Sequence, residues 1–185
     1  MSKLPEDAVI LDQLRSPQGS EVAFRSLVQA YGPLLHRHLM RMLQSSADAD
    51  DVLQNTLVKV FRKLGDFRGD SKLSTWLYRV ATNEALTWLR SKKRRRQRIS
   101  TEDPTTLTTN QLTADPYFDG DAAQLHLQRA LATLPPKQRA VFSFRYFDDL
   151  SYREISEITG TSEGSLKASY HLAVKKIEVK LKEYV

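Results

Sequence analysis

Ser151-Tyr-Arg-Glu-Ile-Ser-Glu-Ile-Thr-Gly160-Thr-Ser-Glu-Gly-Ser-Leu-Lys-Ala-Ser-Tyr170-His-Leu-Ala-Val-Lys-Lys-Ile177 is the stretch on which the fold turns. It holds two helical patterns separated by one glycine. Ser151 followed by Glu154 has the capping-box spacing, in which the hydroxyl accepts a first-turn backbone N–H and the carboxylate reaches back to the cap residue. Ile155 and Ile158 form the buried side of a short helix. Gly160 stands where a helix closes in the left-handed conformation, and Thr161-Ser162 can cap a second helix. Leu166, Tyr170, Ala173, Val174, Ile177 and Leu181 step by three or four and so share one face of that helix. Lys167, Ala168, His171 and Lys175 fall on the opposite face. A short helix, a tight turn and a second helix with small and basic residues outward is the helix-turn-helix pattern, whose second helix fills a major groove. An ordinary hairpin of two helices with a solvated basic face answers to the same pattern.

Outward from this stretch the helical period persists. Helices are expected near 121–133 and 136–147, and further upstream at 20–44, with a kink at Gly32-Pro33. Another is expected at 47–64, with an apolar stripe of Val52, Leu53, Leu57, Val60, Phe61 and Leu64. After a polar loop at 65–73, Ser74 or Ser71 would cap a long helix reaching 98. No alternating strand pattern competes, and 7 Gly in 185 residues disfavour a turn-rich β architecture. The chain reads as all-α. Residues 99–123 lack apolar periodicity and are rich in Thr, so they read as a flexible linker between two small helical domains, 1–98 and 124–185.

Charge follows the same division. Residues 1–98 hold 18 basic and 10 acidic groups, the spacer holds five acidic groups and no basic ones, and 124–185 hold 10 basic and 7 acidic. Two basic blocks around an acidic spacer suit a polyanionic partner. With no Cys there is no disulfide framework, thiolate nucleophile or Cys-based zinc site. No apolar run is long enough to span a membrane, and the N-terminus lacks the order of a signal peptide, so a reducing cytoplasmic setting with no membrane insertion is expected. His36 and His38, two apart, lie on different helix faces and make no metal pair. Asp48, Asp50 and Asp51 suit the positive end of a helix dipole rather than a cation site. No Ser/His/Asp set, Gly-rich phosphate loop or glutamate pair stands out. Catalytic residues, metals and cofactors are therefore all expected to be absent.

A second segment carries chemistry. On the helix from 74, Leu77, Val80, Ala81 and Trp88 mark one side, and Trp76, Arg79, Asn83, Thr87 and Arg90 mark another. Aromatic, amide and cation on one outward face suit opened DNA: rings and guanidinium planes stack, the amide reads base edges, and cations hold phosphates. The helix continues into Arg90-Ser-Lys-Lys-Arg-Arg-Arg-Gln-Arg98, seven cations in nine residues. Taken separately, Trp76 in the core and the basic run as a solvated tail remain open.

In order along the chain, these segments resemble a bacterial sigma factor of the extracytoplasmic-function (ECF) group in the sigma-70 family. Asp48-Ala-Asp-Asp-Val-Leu-Gln-Asn55 through Phe61 is similar to the polymerase-binding helix of region 2. Phe67-Arg-Gly-Asp-Ser71 and Ser74-Thr-Trp-Leu-Tyr-Arg-Val-Ala-Thr-Asn83 resemble the promoter-melting segment. Leu134-Pro-Pro-Lys-Gln-Arg139 with Phe142, then Ser151 through Lys176, resemble region 4. The resemblance implies an initiation factor for a stress or envelope regulon, which binds core RNA polymerase, selects promoters and nucleates melting. Asp48, Asp51, Gln54, Asn55, Val58 and Arg62 would meet the clamp helices of the largest subunits, and the second domain would meet the flap. The loop 65–73 would hold a flipped base, with Arg68, Lys72, Ser74, Trp76, Arg79, Asn83, Arg90, Lys92, Lys93 and Arg94 on the minus-ten element. Arg153, Ser165, Lys167, Ser169, His171, Lys175 and Lys176 would meet the minus-thirty-five element. The acidic spacer would lie in the channel that later carries RNA, and an anti-sigma factor is implied as a further partner. Many relatives have Arg where this chain has Ser169 and Leu172, so base preferences do not transfer. A stand-alone operator-binding regulator, or an adaptor that binds polymerase without DNA, would use only part of these features.

Overall fold

A computed structural model describes residues 5–14, 19–102 and 122–184, and most of the expected linker lies outside the described residues. Among the described residues the chain forms eight α-helices and a closing 3₁₀ turn. They are α1 (Pro5–Leu14), α2 (Gly19–Leu43), α3 (Ser46–Leu64), α4 (Leu73–Glu102), α5 (Ala122–Thr133), α6 (Pro136–Tyr146), α7 (Tyr152–Thr159) and α8 (Glu163–Leu181), with Lys182–Tyr184 as the 3₁₀ turn. Sequence periodicity anticipates all of the α-helices except α1, whose acidic residues break up its apolar pattern. One of those acids, Asp7, is buried and accepts a hydrogen bond from the Tyr31 hydroxyl of α2.

As expected, a single helix, α2, spans nearly all of 20–44 and runs through Pro33. Proline has no N–H for the ladder, and both Pro33 and Gln29, the residue whose carbonyl that N–H would have met, are exposed. At the start of α4, the Trp76 N–H bonds the Lys72 carbonyl at 3.1 Å, so Lys72 holds the cap position rather than Ser71 or Ser74.

The N-terminal core is built from the inward stripes of α2, α3 and α4. Leu27, Leu35 and Leu39 meet Val52 and Val60, and Leu77, Ala81 and Ala85 close the third side, all nearly inaccessible. Each leucine so buried contributes about 1.5–3 kcal/mol before the entropy of ordering is subtracted. Thr56, polar yet fully buried in α3, is satisfied because its hydroxyl donates to the Val52 carbonyl at 2.7 Å. The C-terminal module has its own core of Ala130, Leu131, Leu134, Phe142, Ala173 and Ile177.

The two modules also pack on each other. α6 and α7 lie against α2 and α4, and Phe144, Leu150, Ile155 and Ile158 join the apolar core of the N-terminal module. Phe144 stacks on the His38 ring with centroids 4.4 Å apart and meets Tyr78 edge-on at 5.6 Å. Arg139 crosses the boundary below them: it donates to Met42 O at 2.7 Å, at the end of α2, and to Ala132 O and Leu134 O at 3.2 and 3.1 Å. A cation at the carbonyl end of α2 also opposes that helix's dipole.

Candidate nucleic-acid and polymerase interfaces

α7 and α8 form the helix-turn-helix as the sequence pattern predicts. The Ser151 hydroxyl accepts the Glu154 N–H, the Glu154 carboxylate accepts the Ser151 N–H at 3.0 Å, and Gly160 closes α7 at φ 68°. A side chain is strained at that φ, which is why glycine serves there. Ser162 caps α8 through the Ser165 N–H. Leu166, Ala173 and Ile177 are buried, whereas Lys167, Ala168, His171, Lys175 and Lys176 are exposed. Arg153 and Ser165 are exposed on the same module, and Ser169 is half-buried. The Lys167 ammonium sits 5.7 Å from the Tyr152 ring centroid, and Lys176 Nζ bonds Gln138 at 3.0 Å. The outward face of α8 is thus a groove-sized cylinder of cations and small side chains.

α4 carries the other DNA-facing candidates on one continuous helix of 30 residues. Asn83, Thr87 and Arg90 are exposed in line, Arg90 Nη2 bonding the Thr87 hydroxyl at 3.2 Å. Trp76 combines the two readings of its position. It is half-buried, with its ring 5.3 Å from Phe67 and packed on the N-terminal core. Arg68 is exposed in the loop, and Ser74 is half-buried in the first turn of α4. Further along, Lys93 and Arg94 are exposed. Lys92 turns back to bind the Asp48 carboxylate of α3, so one residue assigned to DNA and one assigned to polymerase neutralise each other.

On α3, the face away from the core shows Asp51, Gln54, Asn55, Val58 and Arg62. Phe61, which its spacing assigns to the buried stripe, is instead 49% exposed, with its ring edge-on to Phe24 of α2 at 5.0 Å. Val58 is equally exposed one turn earlier. The pair gives this polar surface an apolar centre, the composition of a partner-binding patch. Val22 of α2 is likewise 51% exposed.

Electrostatics distinguish the boundary between modules from both outer faces. Burial pushes the His38 imidazole below its usual value, against the opposing pull of Asp148. Burial would raise Asp148, but the facing His38 ring and the Arg41 guanidinium at 2.8 Å outweigh it and hold that carboxyl low. Partial burial would likewise raise Glu154. The Ser151 backbone N–H, the Lys72 ammonium at 3.0 Å and the Ser151 hydroxyl together hold it down at about 2. His36 instead reaches Asp50 at 3.0 Å. Among the described residues no cluster of His, Cys, Asp or Glu has the makings of a metal site, and no helix is long and apolar enough to cross a membrane.

Comparison with known proteins identifies the family. Residues 27–95 match the family model for sigma-70 region 2, and residues 124–177 match that for sigma-70 region 4. The pair defines the chain as a two-domain sigma protein. The sequence is 30% identical to the ECF RNA polymerase sigma factor SigW of Bacillus subtilis, over 90% of this chain and 92% of that one. It is 28% identical to the ECF RNA polymerase sigma-E factor of Escherichia coli K12, over 100% and 99%. The chain belongs to the ECF RNA polymerase sigma factors. Its fold is similar to sigma factor RpoE in complex with the anti-sigma factor NepR from Bartonella quintana, with a TM-score of 0.69, 23% identity, and coverage of 86% of this chain and 96% of that one. It is also similar to CnrH bound to the cytosolic domain of CnrY, with a TM-score of 0.68 and 22% identity over 97% and 99%.

Proposed function

We propose that this chain is a non-catalytic initiation factor that docks on core RNA polymerase in the cytoplasm, brings it to a defined set of promoters and starts their melting. One observation carries the reading. α4 joins the Trp76–Arg79–Asn83–Arg90 stripe to the basic run on one unbroken helix, while α8 holds a second, separate basic face. Two DNA-facing surfaces of different character suit a protein that reads a duplex with one and holds an opened strand with the other.

The roles divide by chemistry. Asp51, Gln54, Asn55, Val58 and Arg62, with Phe61 added, present the surface for the clamp helices of polymerase, and the C-terminal module takes the flap. Trp76, with Phe67 tilted against it, offers an aromatic surface for a flipped base, Asn83 reads a base edge, and Arg90, Lys93 and Arg94 follow the phosphates. Flipping a base costs a few kcal/mol of stacking, which stacking on these rings and nearby cations offset. Lys167, His171 and Lys175 take phosphates and base edges of the minus-thirty-five duplex. An anti-sigma factor, such as those seen with the similar folds, is the expected regulator, and a stress or envelope regulon the expected output.

The test is assembly with purified core bacterial RNA polymerase, followed by transcription from promoters selected out of a random library. A stoichiometric complex that initiates at a shared two-element sequence supports the reading. Absence of any complex overturns it.

A further inference from the structure

We propose that Leu172, with Ala168 one turn before it, reads the C5-methyl group of a thymine in the minus-thirty-five duplex. This rests on the sigma-factor reading, which lays α8 in a major groove, and adds the base chemistry that this helix recognises.

The composition of α8 sets the terms. From Glu163 to Leu181 it contains no Arg, Asn or Gln. Those are the side chains whose planar heads clasp a guanine or an adenine with two hydrogen bonds. Several of the polar groups that remain are engaged within the module. The Ser162 hydroxyl donates to that of Ser165 at 2.9 Å, Lys176 bonds Gln138 at 3.0 Å, and the Lys167 ammonium stands over the Tyr152 ring. Ser169 is half-buried. Hydrogen-bonded readout by this helix is therefore thin.

Leu172 interrupts the basic face. It is 48% exposed and belongs to neither apolar core. Val179, the other exposed large apolar residue of α8, lies two turns nearer the C-terminal end, away from the part of a recognition helix that meets base edges. At 3.6 residues per turn, Leu172 is rotated about 40° from Ala168 and about 60° from Lys175 around the helix axis. It thus stands near the middle of the outward face, with the exposed Lys167 and His171 to one side. A lone exposed leucine is ordinary on a protein surface; its place between cations that draw in phosphates is not. In the major groove thymine alone presents a methyl group. Contact with that methyl removes two apolar surfaces from water. Over another base, the leucine would strip water from a donor or acceptor and give no hydrogen bond in return. Both terms favour thymine.

The test uses the full chain assembled with core bacterial RNA polymerase. Promoters selected from a random library should carry thymine at one or two pairs of the upstream element. Each such thymine is then replaced by deoxyuridine, which loses the methyl and keeps the O4 acceptor and the pairing edge. The assembly should bind the deoxyuridine fragment about fourfold more weakly, as expected for one apolar group the size of a methylene. Leu172→Ala should bind the two fragments equally. Lys175→Gln should weaken both alike and keep the fourfold ratio, because a phosphate contact carries no base information. Selection of an upstream element without thymine, or equal binding of the two fragments by the natural chain, overturns the proposal, and neither comparison needs a variant to fold. A fourfold ratio that survives Leu172→Ala overturns it as well. In each of those cases assembly and initiation still stand, and with them the sigma reading. Failure to assemble with polymerase overturns that reading and the thymine contact together.

Discussion

His38 Nδ1 and Asp148 Oδ2 face each other at 3.7 Å across the boundary between the modules, and neither atom has a hydrogen-bond partner among the described residues. The other imidazole nitrogen lies 3.1 Å from the Thr82 hydroxyl, and Arg41 holds the other Asp148 oxygen. An ionised Asp148 favours the tautomer with its proton on Nδ1, so that Nε2 accepts from Thr82. Burial favours the neutral ring, which is wedged between Tyr78 and Phe144 with its Nδ1 facing a carboxylate just beyond bonding distance.

That arrangement sets a pH dependence. Unfolded His38 titrates near 6.5, and burial lowers the folded value. A lowered folded value means that the full contribution to stability is present above 6.5 and drains away as the pH falls below it. Asp148 and Glu154 are lowered too, but their losses begin only below the ordinary values of 3.8 and 4.5. Thermal unfolding between about pH 7.5 and 5.5 therefore reports mainly on His38 among these three groups. The midpoint should fall with acidification, and His38→Asn should flatten that fall. An equal pH slope in both proteins would show that the ring does not govern it.

Arg139 gives a second prediction. The residue is 8% exposed and among the described residues meets no carboxylate; its guanidinium donates to three backbone carbonyls instead. Burial lowers its pKa, which marks the cost that those bonds offset. Arg139→Ala should cost roughly 3 kcal/mol in denaturant unfolding, since hydrogen bonds to charged groups contribute more than neutral ones and the carbonyls of Ala132 and Leu134 lose a donor. Arg139→Lys should recover less than half of that, because a single ammonium lacks the fork that reaches three acceptors.

These two residues also mark what a linear pattern can and cannot reveal. The split of α8 into Leu166, Ala173 and Ile177 against Lys167, His171 and Lys175 is local, fixed by the period of the helix, and legible at once. So is the cap of α7. By contrast, the partner of Arg41 lies 107 residues away and that of Lys92 lies 44 away, and no local rule assigns such pairs. Phe61 reads as core because its spacing is right, yet its helix turns just far enough to place it at the rim beside Phe24. Asp7 reads as a break in the apolar pattern, but a tyrosine on the next helix makes its burial acceptable.

The Lys92–Asp48 pair bears on the basic run. Neutralising Lys93 and Arg94 together should weaken binding of the polymerase complex to promoter DNA. It should also flatten the salt dependence by up to about 0.9 for each duplex phosphate no longer neutralised, or about 0.7 on a single strand. Lys92→Gln should change that slope less than either neighbour does, because its ammonium is already engaged by a carboxylate. A titration of affinity against salt concentration for Lys92→Gln, Lys93→Gln and Arg94→Gln singly, beside the joint Lys93/Arg94 variant, checks the order. A Lys92 effect equal to that of Lys93 would place its ammonium on DNA after all.

Trp76 and Asn83 share a face of α4 but make unequal probes of melting. Trp76 packs on Phe67 and the N-terminal core, so Trp76→Ala should lower stability by about 2 kcal/mol, chiefly because apolar surface is left unburied. Any fall in transcription in that variant mixes folding with function. Asn83 is exposed, and its backbone carbonyl accepts the Thr87 hydroxyl at 2.8 Å. Asn83→Ala should therefore unfold with an unchanged midpoint and form closed promoter complexes normally. Opening should fall by about tenfold if the amide makes one base-edge hydrogen bond, within the range of about 1–3 kcal/mol for such interactions. Gel shift measures the closed complex and permanganate reactivity measures opened thymines. An equal fall in both would place Asn83 in initial binding rather than in melting.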